Sequence, residues 1–140
     1  MATTAQYSTA PTIDVSQIST ANTARDGSGT TVEIAAGPTT AAGSGVGKRI
    51  LGVLLQATGT TTAGTIRFFI SVDGGKTKRL IEEVSVIAVT PTATSVAWSG
   101  SAPGLIGLTL PGQVSSNTQK LYASTEKAET FNVVVLGATY

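Results

Sequence analysis

The stretch GTIRFFISVDGGKTKRLIEEVSV, residues 64–86, decides the fold class. Over 66–72 apolar side chains occupy every even position, and this period of two places them on one face of a β-strand. Over 79–86 the alternation returns less cleanly, because Ile81 and Glu82 interrupt it. The two runs flank a turn, so the stretch predicts a β-hairpin at the centre of an all-β protein.

The turn of this hairpin has the pattern Ser-x-Asp-x-Gly-x-Thr. An aspartate at this place accepts hydrogen bonds from backbone N–H groups, and glycines take the positive φ angles that tight turns need. The pattern resembles the Asp-box of sialidase-like propellers, a structural device that recurs in each blade. It occurs once here, and 140 residues are too few for a propeller. We therefore predict a structural turn formed by Ser71, Asp73, Gly74, Gly75 and Thr77.

The composition favours a single all-β domain. The chain has 140 residues, of which 41% are hydrophobic, enough for one core. Threonine, which favours strands, is the most frequent residue, and 16 residues are glycine, which favours turns and bulges. Only 12% of the residues are charged, well below the roughly 25% of soluble domains. A surface with so few ions loses little free energy when a partner buries it.

Charge and residue types exclude several classes of ligand. The net charge is +1, so no electrostatic attraction to nucleic acid or to an anionic membrane is expected. The chain has no cysteine and no histidine, which excludes disulfides and leaves carboxylates and carbonyls as candidate metal ligands. We predict no metal site and no cofactor.

The acidic and aromatic residues give no catalytic constellation. Without histidine or cysteine, the common pairs of nucleophile and base are absent. The adjacent acids Glu82 and Glu83 point to opposite faces of a strand and could not share a substrate. Trp98, the single tryptophan, is interpreted as a core residue rather than as a carbohydrate-binding platform. We therefore predict that the protein is not an enzyme and has no catalytic residues.

From residue 30 onward, short apolar runs separated by turn residues predict about eight strands, and no apolar repeat has helical spacing. Such frequent turns are typical of two-sheet sandwiches, and eight antiparallel strands with uneven connections fit a jelly roll. The run over 49–58 is apolar enough to predict a strand buried on both faces. We predict an antiparallel β-sandwich, jelly-roll-like, over residues 30–140.

The first 29 residues are small and polar, and their strongly apolar members are Ile13, Val15 and Ile18. This composition favours an extended N-terminal arm over residues 1–29, with these three side chains as anchors on another protein. A plain tail is the alternative. The start of the chain lacks the regions of a signal peptide, and no apolar run reaches the ~20 residues of a membrane span.

Three parts of the chain carry a resemblance. They are 19–27 (STANTARDG), 57–70 with 79–84 (ATGTTTAGTIRFFI and RLIEEV), and 121–133 (LYASTEKAETFNV). In these parts the chain resembles small virion-associated structural proteins of tailed bacteriophages and prophages. The resemblance extends over most of residues 19–140 and implies a structural component of the virion, with no family active site to carry over.

The resemblance implies a non-enzymatic role in the phage particle. The leading hypothesis is a capsid decoration or cement protein that stabilises the shell by contacts with the major capsid protein. A tail, neck or baseplate component is the alternative within the same virion, and a receptor- or glycan-binding module is the alternative of another class. The implied location is the virion, after synthesis in the host cytoplasm. We also expect a homo-oligomer, and a trimer from the position that such sandwiches take at local three-fold points of a shell.

Overall fold

The computed structural model describes residues 10–140, which contain nine β-strands and two short 3-10 helices. The helices are Ala42–Ser44 and Pro103–Leu105. No helix in this part of the chain has the length and hydrophobicity needed to cross a membrane. The strands are Ala10–Ile18 (β1), Val32–Ala36 (β2), Gly47–Ala57 (β3), Gly64–Ser71 (β4), Arg79–Val86 (β5), Ser99–Ser101 (β6), Thr109–Pro111 (β7), Lys120–Thr125 (β8) and Phe131–Thr139 (β9).

Two sheets pack against each other. The first has the strand order β1-β9-β3-β6, with the short β7 paired to the other end of β3, and the second has the order β2-β8-β4-β5. All paired strands are antiparallel. Contacts of β1 with β2 and of β5 with β6 connect the sheets at their two edges. The prediction of an all-β, antiparallel β-sandwich is confirmed.

The central hairpin consists of β4 and β5, and its irregular half has a structural reason. Phe68 pairs with Glu82, whereas Phe69 pairs with Leu80, which leaves Ile81 as the extra residue of a β-bulge. The bulge reverses the alternation of side chains along β5. The sequence pattern therefore breaks at the residues where the strand itself is irregular.

The hydrophobic core lies between the two sheets. Its largest fully buried side chains include Phe68 of the second sheet and Phe131 of the first. Trp98 is also buried, and its ring meets the Phe131 ring edge to face, with the ring centroids 5.6 Å apart. The interpretation of Trp98 as a core residue is confirmed.

One face of β3 is buried and the other is exposed, so the prediction of a strand buried on both faces was wrong. Ile50 and Val53 are buried, whereas Leu51 and Leu54 are exposed. The register of β3 against β9 shifts between Ile50 and Gly52, which makes a β-bulge at this point. Leu51 and Gly52 therefore both lie on the outer side, and the continuous apolar run combines a core face with an exposed apolar face.

The separate N-terminal arm predicted for residues 1–29 is not confirmed. Ala10–Ile18 is a strand of the sandwich, paired with β9 from Ala10–Thr139 to Ile18–Phe131. Because β9 pairs with one edge of this strand along its whole length, the strand is part of the sandwich itself. Residues 19–31 then cross to the second sheet, so the expected boundary between residues 29 and 30 does not separate two units. Residues 1–9 of the predicted arm lie outside the described residues.

Candidate functional site

The predicted turn residues lie at the tip of the β4–β5 hairpin and hydrogen-bond to one another. The Thr77 N–H and the Ser71 hydroxyl each donate to Asp73 Oδ1 at 2.8 Å. These bonds lower the pKa of Asp73 from 3.8 to about 2, and the bond from the Thr77 N–H has the largest effect. Gly74 and Gly75 have positive φ angles, and a Cβ on Gly75 would collide with a tyrosine hydroxyl of β8. The polar groups of the turn therefore hold the shape of the hairpin itself.

The loop 19–31 crosses the outer face of the second sheet and is bound to it. The backbone oxygen of Asn22 in this loop accepts a hydrogen bond from Arg67 Nη1 at 3.3 Å. The Arg67 side chain is 3% exposed and also donates to Glu83 Oε1 at 3.0 Å, and Arg25 of the loop donates to the same oxygen at 2.7 Å. The two guanidinium groups, Arg25 first, lower the pKa of the Glu83 carboxyl. A polar network within one chain thus fixes this loop on the centre of the face, while Glu83 and Ser85 of β5 remain exposed.

The outer face of the first sheet is apolar, and no segment between residues 10 and 140 covers it. Six aliphatic side chains on three neighbouring strands lie on this side, and five of them are between 37% and 67% exposed. Contiguous apolar surface of this kind marks interaction sites on soluble domains. We call these six residues the apolar face: Ile13, Val15, Leu51, Leu54, Val134 and Leu136.

The strand register brings the side chains of the apolar face into adjacent rows. Val15 lies opposite Val134, which in turn lies opposite Leu54. In the next row Ile13 lies opposite Leu136, which faces the bulge of β3. Side chains at paired positions of antiparallel strands are in contact distance, at ~5 Å between Cβ atoms. The six residues therefore form one surface rather than isolated exposed positions.

Polar residues border the apolar face at both ends of the strands. At one end Gln17, Asn132 and Gln56 form a row of amides, and Gln17 Nε2 donates to Asn132 Oδ1 at 3.0 Å. At the other end the exposed Arg49 lies beside Ala138, and it makes no ion pair within residues 10–140. An apolar centre with a polar rim is the usual anatomy of a protein–protein interface.

The first strand carries its apolar side chains outside and its polar side chains inside. Ile13 and Val15 are exposed, whereas Asp14 lies on the inner side and forms an ion pair with the buried Lys48 of β3. Alternation in a half-exposed strand normally turns the apolar set to the core, and a shift of one residue in register would do so here. The observed orientation is the one expected of a face that a partner covers.

The structure separates the three residues predicted as assembly anchors. Ile13 and Val15 lie on the apolar face, whereas Ile18 is 1% exposed and packs in the core, so it is not available to a partner. The sequence analysis missed the exposed leucines of β3 and β9, because continuous apolar runs are typical of strands buried on both faces. Gly52 was the available signal, since a glycine inside a strand marks a bulge.

The described residues contain no metal centre. Comparisons with known proteins do not assign the chain to a family. Between residues 10 and 140, no group of three or more Asp, Glu, His or Cys side chains is placed to hold a metal ion. Comparison with protein-family models, with curated proteins and with solved structures found no match for the chain. The fold and the surface define the class of the protein, which is a β-sandwich with one uncovered apolar sheet face.

Proposed function

We propose that this protein is a non-enzymatic structural component of a bacteriophage particle and that it assembles through its apolar face. The observation that carries the proposal is the difference between the two outer faces. The loop 19–31 crosses the second sheet and is held there by a polar network, whereas no residue between 10 and 140 covers the apolar face, of which five side chains are exposed. A subunit that is permanently built into a larger assembly tolerates such a face, because another protein covers it.

The strand order supports a virion protein with the predicted jelly-roll fold. With β7 set aside, the first sheet has the order β1-β9-β3-β6 and the second the order β2-β8-β4-β5. Consecutive strands from β1 to β4 therefore alternate between the sheets, as they do in a double-sheet jelly roll built from two Greek keys. The sequence resemblance to virion-associated proteins of tailed phages gives the same class of protein.

Within the particle we assign the protein to the capsid surface, as a decoration or cement protein bound to the major capsid protein. Only 12% of its residues are charged, so contact with a shell removes few ions from water. Such a protein stabilises the shell by burying surface between shell subunits. The tail, neck or baseplate of the same virion is the second location.

A receptor- or glycan-binding module has less support. That function would use an exposed tryptophan or tyrosine as a stacking platform for a sugar ring. Trp98 is 7% exposed and packs against Phe131, so it does not offer such a platform. The hypothesis would need another aromatic residue in a concave site.

The copy number of the chain in purified phage particles tests the proposal. Mass spectrometry with isotope-labelled peptides would give the ratio of this chain to the major capsid protein. A decoration protein is expected at on the order of hundreds of copies per particle, since it follows the symmetry of the shell. Tens of copies or fewer per particle would indicate a location in the tail, neck or baseplate. Absence from the particles would refute the proposed function.

A further inference from the structure

The geometry points to a second copy of this chain as the occupant of the apolar face, stacked sheet against sheet about a two-fold axis. The inference rests on the proposed function, in which the apolar face is an assembly surface. It adds the identity of the partner and the contact geometry. Homo-oligomers of this kind bury the same patch on both subunits.

The outer side of the first sheet, which carries the apolar face at its centre, is close to the size that such a dimer needs. β1 and β9 have 9 residues each, and β3 has 11. At ~3.3 Å per residue and ~4.8 Å between strands, these three strands cover about 30 Å by 14 Å, and the short β6 and β7 bring the outer side of the whole sheet to roughly 550 Å² in each copy. Two copies together reach roughly 1,100 Å² of flat area, and the accessible area is larger because side chains make the surface uneven. Specific interfaces start at about 1,200 Å² in total.

The rows of the face complement themselves when the second copy is reversed. A two-fold axis in the plane between the sheets and perpendicular to the strands places the Val15 row of one copy on the Ile13 row of the other. The same operation places Arg49 of β3 against Gln56, the β3 member of the amide row. Amide oxygens accept hydrogen bonds from a guanidinium group, so Arg49, which makes no ion pair within residues 10–140, gains a partner. The two apolar rows carry no charge, so identical copies do not repel each other there.

Two other occupants fit the face less well. Residues 1–9, MATTAQYST, precede β1 and are mostly small or polar, so they supply little apolar surface to cover six aliphatic side chains. An unrelated protein would find no charged group on the apolar rows that could select it. A second copy needs no such selection, because the rows of the face complement themselves under the two-fold rotation.

Sedimentation equilibrium of the purified full chain tests the inference. We expect a wild-type dimer at micromolar concentration. Leu54→Arg puts a charge in the centre of the face and should weaken dimerisation at least tenfold, leaving a folded monomer. Val96→Arg is the matched control, because Val96 is 85% exposed and lies outside the face, and it should remain dimeric. Circular dichroism of each variant verifies that the fold is retained.

Each other outcome overturns the inference. A monomeric wild type, a trimer, or a Leu54→Arg variant that dimerises like the wild type would each show that the stacked two-fold pair is wrong. If deletion of residues 1–9 turns a monomer into a dimer, those residues cover the face instead. If the wild type is a monomer but is found in purified particles, the dimer is refuted and the proposed function is retained. If the chain is absent from particles, the proposed function is refuted, whether the protein is a monomer or a dimer in solution.

Discussion

At the scale of single residues, Asp73 stabilises the hairpin turn in its ionised form. Its carboxylate accepts hydrogen bonds from the Thr77 N–H and the Ser71 hydroxyl, and these lower its pKa from 3.8 to about 2. A group whose folded-state pKa is lowered contributes stability above its ordinary pKa. That contribution is lost as the pH falls through the folded-state value, so the window for Asp73 lies between about 4 and about 2.

Replacing Asp73 by alanine should lower the midpoint of thermal unfolding at pH 7, because the turn loses the acceptor of two hydrogen bonds. As the pH falls toward 2, the wild type loses the same contribution, so the two midpoints should converge. Lys76→Ala, an exposed change in the same turn, should keep the wild-type midpoint throughout. Circular dichroism melts at several pH values measure this. A gap that stays constant down to pH 2 would contradict the role given to the carboxylate.

Glu83 has a different task, which is to neutralise the buried guanidinium of Arg67. Glu83→Gln should lower the free energy of unfolding by about 1–3 kcal/mol, since a buried charge loses its ionic partner while Glu83 itself is partly exposed. Because the pKa of Glu83 is lowered from 4.5, the wild type should lose this stability as the pH falls below that value.

Urea denaturation at pH 7 gives the free energies for this comparison. Arg25→Ala is the control, because the Arg25 side chain is 61% exposed and surface ion pairs contribute at most about 1 kcal/mol. An Arg25→Ala variant that is less stable than Glu83→Gln would show that the loop, and not the buried charge, dominates the network.

At the scale of elements, β1 is the strand whose role differs most between sequence and structure. It is an edge strand, paired with β9 and ion-paired to β3 through Asp14 and Lys48. Its last residue, Ile18, belongs to the core. The strand therefore stabilises the domain with its inner side, while Ile13 and Val15 on its outer side remain available for assembly.

Two deletions separate a structural strand from a detachable arm. Removal of residues 1–9 keeps all nine described strands and serves as the reference. Removal of residues 1–18 should cost at least about 3 kcal/mol or prevent folding, because it removes Ile18 from the core and leaves Lys48 without its carboxylate. Urea denaturation of the two truncated proteins makes the comparison. Equal stability of both would favour the arm that the sequence composition predicts.

At the scale of the whole molecule, the sequence predicts the strands and the sandwich but not which faces are covered. The alternation of Ile13, Asp14 and Val15 predicts a strand, yet a period of two does not say which side meets the core. The run in β3 was assigned to a doubly buried strand, because the pattern of apolar residues alone does not reveal a bulge at Leu51. Burial of Arg67 depends on Asn22 and Glu83, which are distant in sequence, and no local pattern reports such a contact.

The two outer faces of the sandwich are the basis of the functional account. One is crossed by a loop that a polar network holds in place, and the other presents the apolar face with a polar rim. Burial of apolar surface contributes about 25 cal/mol per Å², so covering such a face favours association strongly. The central claim is that the apolar face is the assembly surface of a virion protein.

A cryo-electron microscopy map of the intact particle tests this claim most directly. The account predicts that the chain is present and that Ile13, Val15, Leu54 and Leu136 are covered by protein, either a second copy or another virion component. A map in which the chain is bound through other surfaces, with the side chains of the apolar face open to solvent, would contradict it.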